Sequence, residues 1–420
     1  MRIGIFIDDY LPSVHGVATS TTNLKEALEG LGHEVYVIAP RCKGYRDEDD
    51  HVIRVPSSKN YVFDKRETGV IYPGLARRLD AYEFDIVHSQ MQFYVGVLAH
   101  SVAKRQNIPH VTTVHTLYTE LIDDYPLMVT AGIIALTVAL PIVLRTRPIL
   151  PTASREQLRS MSREAIKETF SHQGWRLTAA FANKCEACIS PSNHLARILI
   201  DEGGLTAPCY VRPNGINTRQ YRDADPEGSP IEKSPGEKFI ISVARLSPEK
   251  RQKALIEALP HISDRNVALV LTGGGPYEQD LRRRSEELNV ANRVIFTGMQ
   301  PSDKVAALLK QADVFSLASY HFDNQPMTFL EAASSGLPIV YCDEQMTEGL
   351  TKRNAVLTGG IEGEDLAQAF NDLFSNPEKL DMLSRGSLDV AQEFDSTTMA
   401  ARMADLYEKL IRDHRTLSRH

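Results

Sequence analysis

Two carboxylates stand eight positions apart in the stretch Ser319-Tyr-His-Phe-Asp323-Asn-Gln-Pro-Met-Thr-Phe-Leu-Glu331-Ala-Ala-Ser-Ser-Gly336-Leu-Pro338-Ile-Val. A polar turn lies between them, and a Gly-x-Pro break leads into an apolar strand. Read as loop, helix, turn and strand, the pattern puts Asp323 and several backbone N–H groups at a helix N-terminus. That end is electropositive and suits a phosphate. Glu331 then falls about two turns into the helix, within reach of a second part of the same ligand. Carboxylates also bind sugar and ribose hydroxyls, so the pair suits a ligand carrying both phosphate and sugar. The alternative is an N-cap acid followed by a solvated helix acid.

Other side chains of useful type sit where strands end. Arg245 and Lys250 follow the predicted strand Phe239–Val243, five positions apart around Pro248. From a strand's carboxyl end both can point at one diphosphate, Arg as a fork and Lys as a point charge. The predicted strand Ala268–Thr272 ends in Gly273-Gly-Gly275-Pro276, where backbone can come close to a ligand; a glycine run alone is a weak signal. His115 directly follows the predicted strand His110–Val114, which favours a functional over a structural histidine. Gly16, between a loop and a helix, either admits a phosphate to the backbone or serves only the turn. Cys185-Glu-Ala-Cys188 has no second Cys pair, so two buried small hydrophobes outweigh a metal or redox site.

The elements that must position these residues alternate strand and helix. The chain opens with a strand Ile3–Ile7, a loop Leu11-Pro-Ser-Val-His-Gly16 and a helix Thr19–Gly32. Further strands are predicted at Glu34–Ala39, Val52–Val55, Asp85–His88 and near Tyr210. A helix from Trp175 leads into one more strand, ending at Ile189. Arg222–Lys238 is rich in Asp, Glu, Pro, Gly and Ser and reads as the linker. After it come strands at Phe239–Val243, Ala268–Thr272, Val294–Gly298, Val314–Leu317 and Pro338–Tyr341, then a final helix Thr397–Arg412 polar enough to lie across another domain. The reading is two doubly wound α/β units in tandem, with 420 residues enough for two or three domains. A net charge of −7 argues against a general nucleic-acid binder, and five scattered cysteines suggest reduced thiols in a cytosolic setting. The N-terminus reads as a first strand and not as a signal peptide.

One segment breaks the pattern. Pro126–Leu144 is nineteen residues without a charge, and Arg145, Arg147, Arg155, Arg159, Arg163 and Lys167 follow. The last four, at fourth-residue spacing, form one positive stripe on a helix. A greasy stretch joined to a cationic helix suits a protein lying on an anionic bilayer. Pro141 and the cytosolic folds on both sides argue against a simple crossing. The competing reading is a buried helix followed by a solvated, salt-bridged one, since Glu156, Glu164 and Glu168 lie among the bases.

Neither unit has a G-x-G-x-x-G after its first strand, which sets a dehydrogenase aside. No Asp-x-Asp stands at a strand end, and Asp47-Glu-Asp-Asp50 looks like a surface turn. That sets aside a metal-dependent single-domain sugar transferase. In combination, Gly16, His115, Pro213-Asn214-Gly215, Arg245-Leu-Ser-Pro-Glu-Lys250, Gly273-Gly-Gly-Pro276, Phe296-Thr-Gly298 and the Asp323-to-Glu331 stretch are specific. Over nearly its whole length the chain resembles the retaining glycosyltransferases of family 4, which have the GT-B fold. The closest resemblance is to diacylglycerol glucosyltransferase-like members.

The resemblance implies two Rossmann-like domains facing across a cleft. Residues 1–212 would form the acceptor-side domain, with a membrane-surface segment at 126–167. Residues 213–396 would bind the nucleotide sugar, and 397–420 would return as a helix to the first domain. Arg245 and Lys250 would hold the donor diphosphate, Glu331 the ribose, and Asp323 with the backbone of Asn324, Gln325, Met327 and Thr328 the sugar and distal phosphate. Gly16, Asn214, Gly215, Gly274 and Gly298 would also contact the donor. His115 would sit beside the sugar ring, contacting a hydroxyl or steadying an oxocarbenium-like centre. Tyr118, Arg155, Arg159, Arg163 and Lys167 would face acceptor and membrane. The leaving phosphate would take the acceptor's proton, so no nucleophile–acid carboxylate pair is required.

The implied activity is transfer of a hexose, glucose from UDP-glucose, to a membrane lipid such as diacylglycerol. It would need no cofactor or essential metal and would work as a peripheral protein on the inner face of the cell membrane. Alternatives are a GDP-mannose-dependent mannosyltransferase, a glucosyltransferase for another lipid or a soluble acceptor, and a nucleotide-sugar-binding protein without turnover. The last is motivated by three departures from the family pattern. Asp323 stands for the usual Glu, Pro326 for Gly, and Asn217 for the Asp after Asn-Gly-Ile.

Overall fold

Arg2–Phe6 reads Arg-Ile-Gly-Ile-Phe, and Ile3, Ile5 and Phe6 are all fully buried. A strand buried on both faces needs cover on both faces, which is the condition of a parallel sheet wrapped by helices. The computed structural model has two such sheets. It describes residues 1–13, 15–60, 66–70, 72, 74–92, 94–115, 132–134, 136–138, 140–141, 144, 149 and 162–417. The chain forms two units, Met1–Gly215 with Thr397–His420, and Ile216–Ser396.

In the first unit the strands are β1 (Arg2–Phe6), β2 (Glu34–Pro40), β3 (Val52–Val55), β4 (Ser57–Asn60), β5 (Arg66–Gly69), β6 (Ile86–Ser89), β7 (His110–Thr113), β8 (Ala187–Ser190) and β9 (Cys209–Val211). Seven of them make one sheet in the order β3-β2-β1-β6-β7-β8-β9, parallel throughout. β4 and β5 pair as a separate antiparallel hairpin. The second unit holds β10 (Lys238–Val243), β11 (Val267–Thr272), β12 (Val294–Gly298), β13 (Val314–Leu317), β14 (Ile339–Tyr341) and β15 (Ala355–Leu357). Their order is β12-β11-β10-β13-β14-β15, again all parallel. Alternate residues serve opposite faces of this sheet. Phe239, Ile241, Val270 and Phe315 enter one core, while Ile240, Leu269, Leu271 and Val314 enter the other.

The predicted strands lie within one residue of the observed ends, and β4, β5 and β15 were not foreseen. The first helix runs Gly16–Gly30, three residues earlier than the apolar pattern suggested. The reason is His15, whose side chain accepts from Ala18 N and caps the helix, a role more usual for Ser, Thr, Asp or Asn. The second unit begins at Ile216, three residues beyond the expected boundary. Asn214 Oδ1 accepts from Ser20 Oγ at 2.5 Å and Gly215 O from Asn23 Nδ2 at 3.2 Å, which ties both residues to the Gly16–Gly30 helix. Arg222–Lys238, expected as the linker, is part of the second unit. Lys233 Nζ reaches Asp313 Oδ2 at 2.6 Å and Ser229 Oγ donates to Gln311 Oε1 at 2.8 Å. Polar composition there serves hydrogen bonding to a neighbouring loop and not free chain.

The helix Ser396–Leu417 packs, from Thr397 on, into the first unit, where Met403, Tyr407 and Leu410 share a core with Ile3, Ile5 and Val37. Tyr407 is fully buried, and its hydroxyl lies 2.6 Å from Nδ1 of His88, whose Nε2 lies 2.6 Å from Thr113 Oγ1. Burial pushes His88 down to about 3, so the imidazole is neutral and serves as a hydrogen-bonding spacer. Tyr407→Ala is expected to leave a cavity and take the hydroxyl away from His88 Nδ1, costing roughly 3–5 kcal/mol. Thermal melts should show Tm lower by on the order of 10 °C; an unchanged Tm would mean the helix adds nothing to this unit.

Candidate functional site

In the second unit the strand order reverses beside β10, with β11 on one side and β13 on the other. Loops leaving the carboxyl ends of β10 and β13 therefore diverge and leave a crevice, the position at which open parallel sheets bind ligands. After β10 the chain makes a single turn, Pro248–Lys250, and Arg251 adopts a left-handed conformation (φ 51°) before the helix Gln252–Ala258. Gln252 Nε2 donates to Arg245 O at 2.8 Å and fixes the loop's entry, with the Arg245 residue exposed. The turn aims Lys250 at the β13 loop, where Nζ lies 2.5 Å from Asp323 Oδ1 and 4.9 Å from the Phe322 ring. The two side chains are 16% and 13% exposed, so the pair is largely desolvated. Asp323 Oδ2 is buried and has no hydrogen-bond partner among the described residues. A carboxylate oxygen so placed can accept from a ligand hydroxyl.

The next helix is Met327–Ser334. Pro326 lacks an N–H and disfavours helical backbone at Gln325, so the helix starts only after it. Asp323 thus lies in the loop, four residues before the helix, and Glu331 lies just over one turn into it, not two as the spacing suggested. Met327 is buried, while Asn324, Gln325 and Thr328 are half-buried beside it. Burial pushes the Glu331 carboxyl up to about 7, against a hydrogen bond from the Tyr221 hydroxyl that favours the charged form. Burial and the nearby Glu331 raise the Tyr221 hydroxyl in turn, so it stays a donor. Tyr221 was missed in the sequence because its short helix, Thr218–Arg222, looks like the tail of a turn. Asn217, one of the three departures, is the N-cap of that helix, accepting from Gln220 N, a role Asn and Asp fill about equally.

The glycine run after β11 has a structural cause. A Cβ at Gly273 (φ 136°) would strike Ala244 O, and one at Gly275 would strike Leu246 O. These glycines let the β11 loop lie against the β10 loop, where Leu246 N donates to Gly274 O at 3.0 Å. Gly274 itself faces the flexible Met299 side chain, and Gly298 (φ 70°) opens onto free space.

The first sheet reverses between β1 and β6. Just past β1, Asp8 Oδ1 accepts from Val95 N at 2.8 Å. Its carboxyl is pushed up to about 6 by burial, with Asp9 adding to the rise and the Val95 bond opposing it. His115, beyond β7, is half-buried with Nε2 2.7 Å from Gln90 Oε1. Burial, helped by His15, lowers it to about 4, so it is neutral at pH 7. With Nε2–H donated to Gln90, Nδ1 carries the lone pair. Asp8 and Gln90 were not singled out as site residues; both stand directly after strands, which was the available signal. Gly16 starts its helix exposed, and a Cβ there would meet nothing within 4 Å, so the fold itself does not demand glycine.

Residues of 132–144 that the structure describes are mostly helical, with Ile133, Leu140 and Leu144 packed on Leu177, Phe181 and Cys185. Ile134 and Val138, one turn apart, are 54% and 64% exposed. A cavity of only about 10 Å³ lies here, lined by Ile133, Leu136, Leu140, Leu177, Gln92 and Thr178, too small for more than a water. Tyr118, Arg155 and Arg159 fall outside the described residues. Arg163 and Lys167 lie on the helix Arg163–Ala182, with their side chains outside the description. No described helix is long and apolar enough to cross a membrane. All five cysteines are free; burial holds the Cys185 thiol well above its ordinary range, and a hydrogen bond with Cys209, helped by burial, does the same for Cys188. Among the described residues, His321, Asp343 and Glu344 have ligand atoms within 4.8 Å of one another and could meet a cation. Asp343 already accepts from the backbone N–H of His321 and of Gln345.

Residues 14–220 match the profile described as Glycosyltransferase Family 4, and residues 225–387 that described as Glycosyl transferases group 1. The alpha-monoglucosyldiacylglycerol synthase of Streptococcus pneumoniae (strain ATCC BAA-255 / R6) is 30% identical over 353 residues, 81% of this chain and 70% of that one. The chain belongs to glycosyltransferase family 4. This family 4 glycosyltransferase is also similar to the alpha-monoglucosyldiacylglycerol synthase of Acholeplasma laidlawii, 28% identical over 436 aligned positions that cover 98% of each chain. Among solved structures it is similar to Anabaena HepE in complex with UDP and glucose, with a TM-score of 0.70 and 18% identity, over 97% of this chain and 100% of that one. Its fold is GT-B.

The raised Glu331 carboxyl gives this glycosyltransferase a pH signature. Because the folded value of about 7 exceeds the unfolded one, folding binds a proton. The stability that Glu331 contributes is complete below about pH 4.5 and is lost as pH rises through about 7. Thermal melts of unliganded wild type and Glu331→Gln should therefore diverge between about pH 5 and pH 8, wild type losing Tm relative to the variant. Parallel curves would place Glu331 in a solvated setting.

Proposed function

We propose that this enzyme transfers glucose from UDP-glucose to a membrane lipid such as diacylglycerol, with retention of configuration at the sugar. The observation that carries the substrate reading is the likeness to two alpha-monoglucosyldiacylglycerol synthases, one of them end to end. The observation that supports the chemistry is the Lys250–Asp323 pair at the reversal of the second sheet.

In this reading the donor diphosphate lies against Arg245 and Lys250. As the bond between sugar C1 and phosphate oxygen lengthens, the Lys250 ammonium neutralises the charge growing on the phosphate. Asp323, held by Lys250, accepts from a sugar hydroxyl through Oδ2. Glu331 as carboxylate accepts from ribose hydroxyls, and Asn324, Gln325, Met327 and Thr328 supply contacts to sugar and distal phosphate. Asn214, Gly215, Gly274 and Gly298 are further donor contacts, and the open backbone at Gly16 suits a phosphate at a helix N-terminus. His115, being neutral, serves a hydroxyl and not a cationic centre. The acceptor oxygen bonds to C1 on the face the nucleotide leaves, and its proton passes to the leaving phosphate oxygen. No metal takes part in this sequence.

The acceptor reading places the lipid on the first unit. The exposed Ile134 and Val138 favour contact with hydrocarbon, and the basic run that includes Arg155, Arg159, Arg163 and Lys167 favours an anionic bilayer surface. The protein would then be peripheral on the inner face of the membrane.

Purified protein given radiolabelled UDP-glucose or GDP-mannose with diacylglycerol liposomes in EDTA should label the organic phase from UDP-glucose. Label only in the aqueous phase, label only from GDP-mannose, or a requirement for added Mg²⁺ would each contradict the corresponding part of this reading. Lys250→Ala should lower kcat by about 10²–10³-fold, the size of loss seen when one donor to a developing anion is removed. A wild-type rate would remove Lys250 from the mechanism.

A further inference from the structure

Gln90 directly follows β6 and is 3% exposed, with its backbone N–H donating to Phe6 O at 2.8 Å. An amide so buried must place both its ends against protein groups. One end meets His88. Both in-plane positions of that ring are taken, Nδ1 by the Tyr407 hydroxyl and Nε2 by Thr113 Oγ1, each at 2.6 Å. The Gln90 side-chain nitrogen, 3.3 Å from both ring nitrogens, therefore lies over the face of the ring. An NH2 group is attracted to an aromatic face and a carbonyl oxygen is repelled by it, which fixes the amide's orientation. The other end is then the oxygen, and it stands 2.7 Å from Nε2 of His115. An amide oxygen only accepts, so Nε2 of His115 carries the hydrogen.

We infer that Gln90 is a positioning residue: braced on the His88 ring, it holds His115 in the Nε2–H tautomer and makes Nδ1 the atom that accepts from a sugar hydroxyl. The inference rests on the reading of His115 as a ligand of the sugar ring. Without the amide oxygen, a neutral imidazole exchanges its proton between the two nitrogens and turns about its side-chain torsions. A ring carrying Nδ1–H would then offer a hydrogen where the sugar hydroxyl also offers one. The brace reaches further, since Tyr407 on the helix Ser396–Leu417 and Thr113 at the end of β7 hold His88 itself. The neutrality of Gln90 matters as well. A carboxylate in its place would favour the imidazolium, which has no acceptor at all. Gln90 touches no substrate atom in this scheme.

NMR of the whole protein with ring-15N histidine reads the tautomer, His115 being the signal missing from His115→Ala. Gln90→Met keeps the length and bulk of the side chain without the amide oxygen, and Tm reports that the fold is kept. Wild type should show Nε2 protonated and Nδ1 bare; in Gln90→Met the two shifts should move towards each other as the tautomers mix. With radiolabelled UDP-glucose or GDP-mannose and diacylglycerol liposomes, kcat/KM of Gln90→Met should fall roughly 5–20-fold, the size of one hydrogen bond's net contribution. His115→Ala should fall at least as far, and Gln90→Met should add no further loss in that background. Gln90→Glu should raise the midpoint of His115, held near 4 by burial and His15, by about one pH unit or more. Nδ1–H in wild type, an unmoved tautomer in Gln90→Met or an unmoved midpoint in Gln90→Glu would overturn the role of Gln90. So would a wild-type rate in Gln90→Met, or losses that multiply, while an impaired His115→Ala leaves His115 in the site. A wild-type rate in His115→Ala, or no product from either nucleotide sugar, would overturn the reading of His115 itself.

Discussion

Strand order in a parallel sheet dictates where loops must part, and in the second unit that point lies between β10 and β13. Everything with chemical potential there hangs on the two loops that leave these strands. Lys250 and Asp323 are 73 positions apart in sequence, yet the reversal makes their loops neighbours and their side chains a single ion pair. Such a pair, largely out of water, is a poor stabiliser, because desolvation offsets most of the attraction. Breaking it by removing one partner leaves an uncompensated charge, which is costly. Its value is in holding an ammonium and a carboxylate ready in one place. The carboxylate keeps one oxygen without a hydrogen-bond partner among the described residues, so that oxygen can accept from a donor.

Burial shifts Glu331, Asp8, His88 and His115 near the two sheet reversals. In the second unit it lifts Glu331 to about 7 and leaves Tyr221 to hold part of the carboxylate population. In the first it lifts Asp8 to about 6 and lowers His88 and His115 to about 3 and 4. A neutral imidazole such as His115 is of a type suited to hydroxyls, whereas Arg245 and Lys250 in the second unit are of types suited to phosphate. The two Rossmann-like units thus differ in their electrostatics. The strands set it up by ending where they do.

Much of the architecture was legible because parallel strands announce themselves as short, mostly apolar runs. Val52–Val55, Val294–Gly298 and Val314–Leu317 were read with the observed ends. Short β15 escaped because Ala355–Leu357 is too brief to show a pattern. Positions at strand ends drew attention to His115, Arg245 and Lys250, since topology places ligands there regardless of side-chain packing, while Asp323 stood out by its spacing from Glu331. What could not be read were partners set by tertiary contact. Tyr221 meeting Glu331, and Gln90 meeting His115, join residues 110 and 25 positions apart with no local signal. The glycines after β11 were legible as a close approach, but the approaching group is the chain's own backbone at Ala244 and Leu246. Helix starts were displaced by caps the periodicity does not encode, His15 early and Pro326 late.

The central claim is that the nucleotide sugar is held at the β10–β13 reversal of the second unit. Hydrogen–deuterium exchange of the whole protein, with and without saturating UDP-glucose, measures this directly. The account predicts slowed exchange in peptides covering 244–251 and 322–331, with little change along the outer strand β15. Protection confined to the loops after β1 and β7, or absent from both second-unit loops, would contradict it.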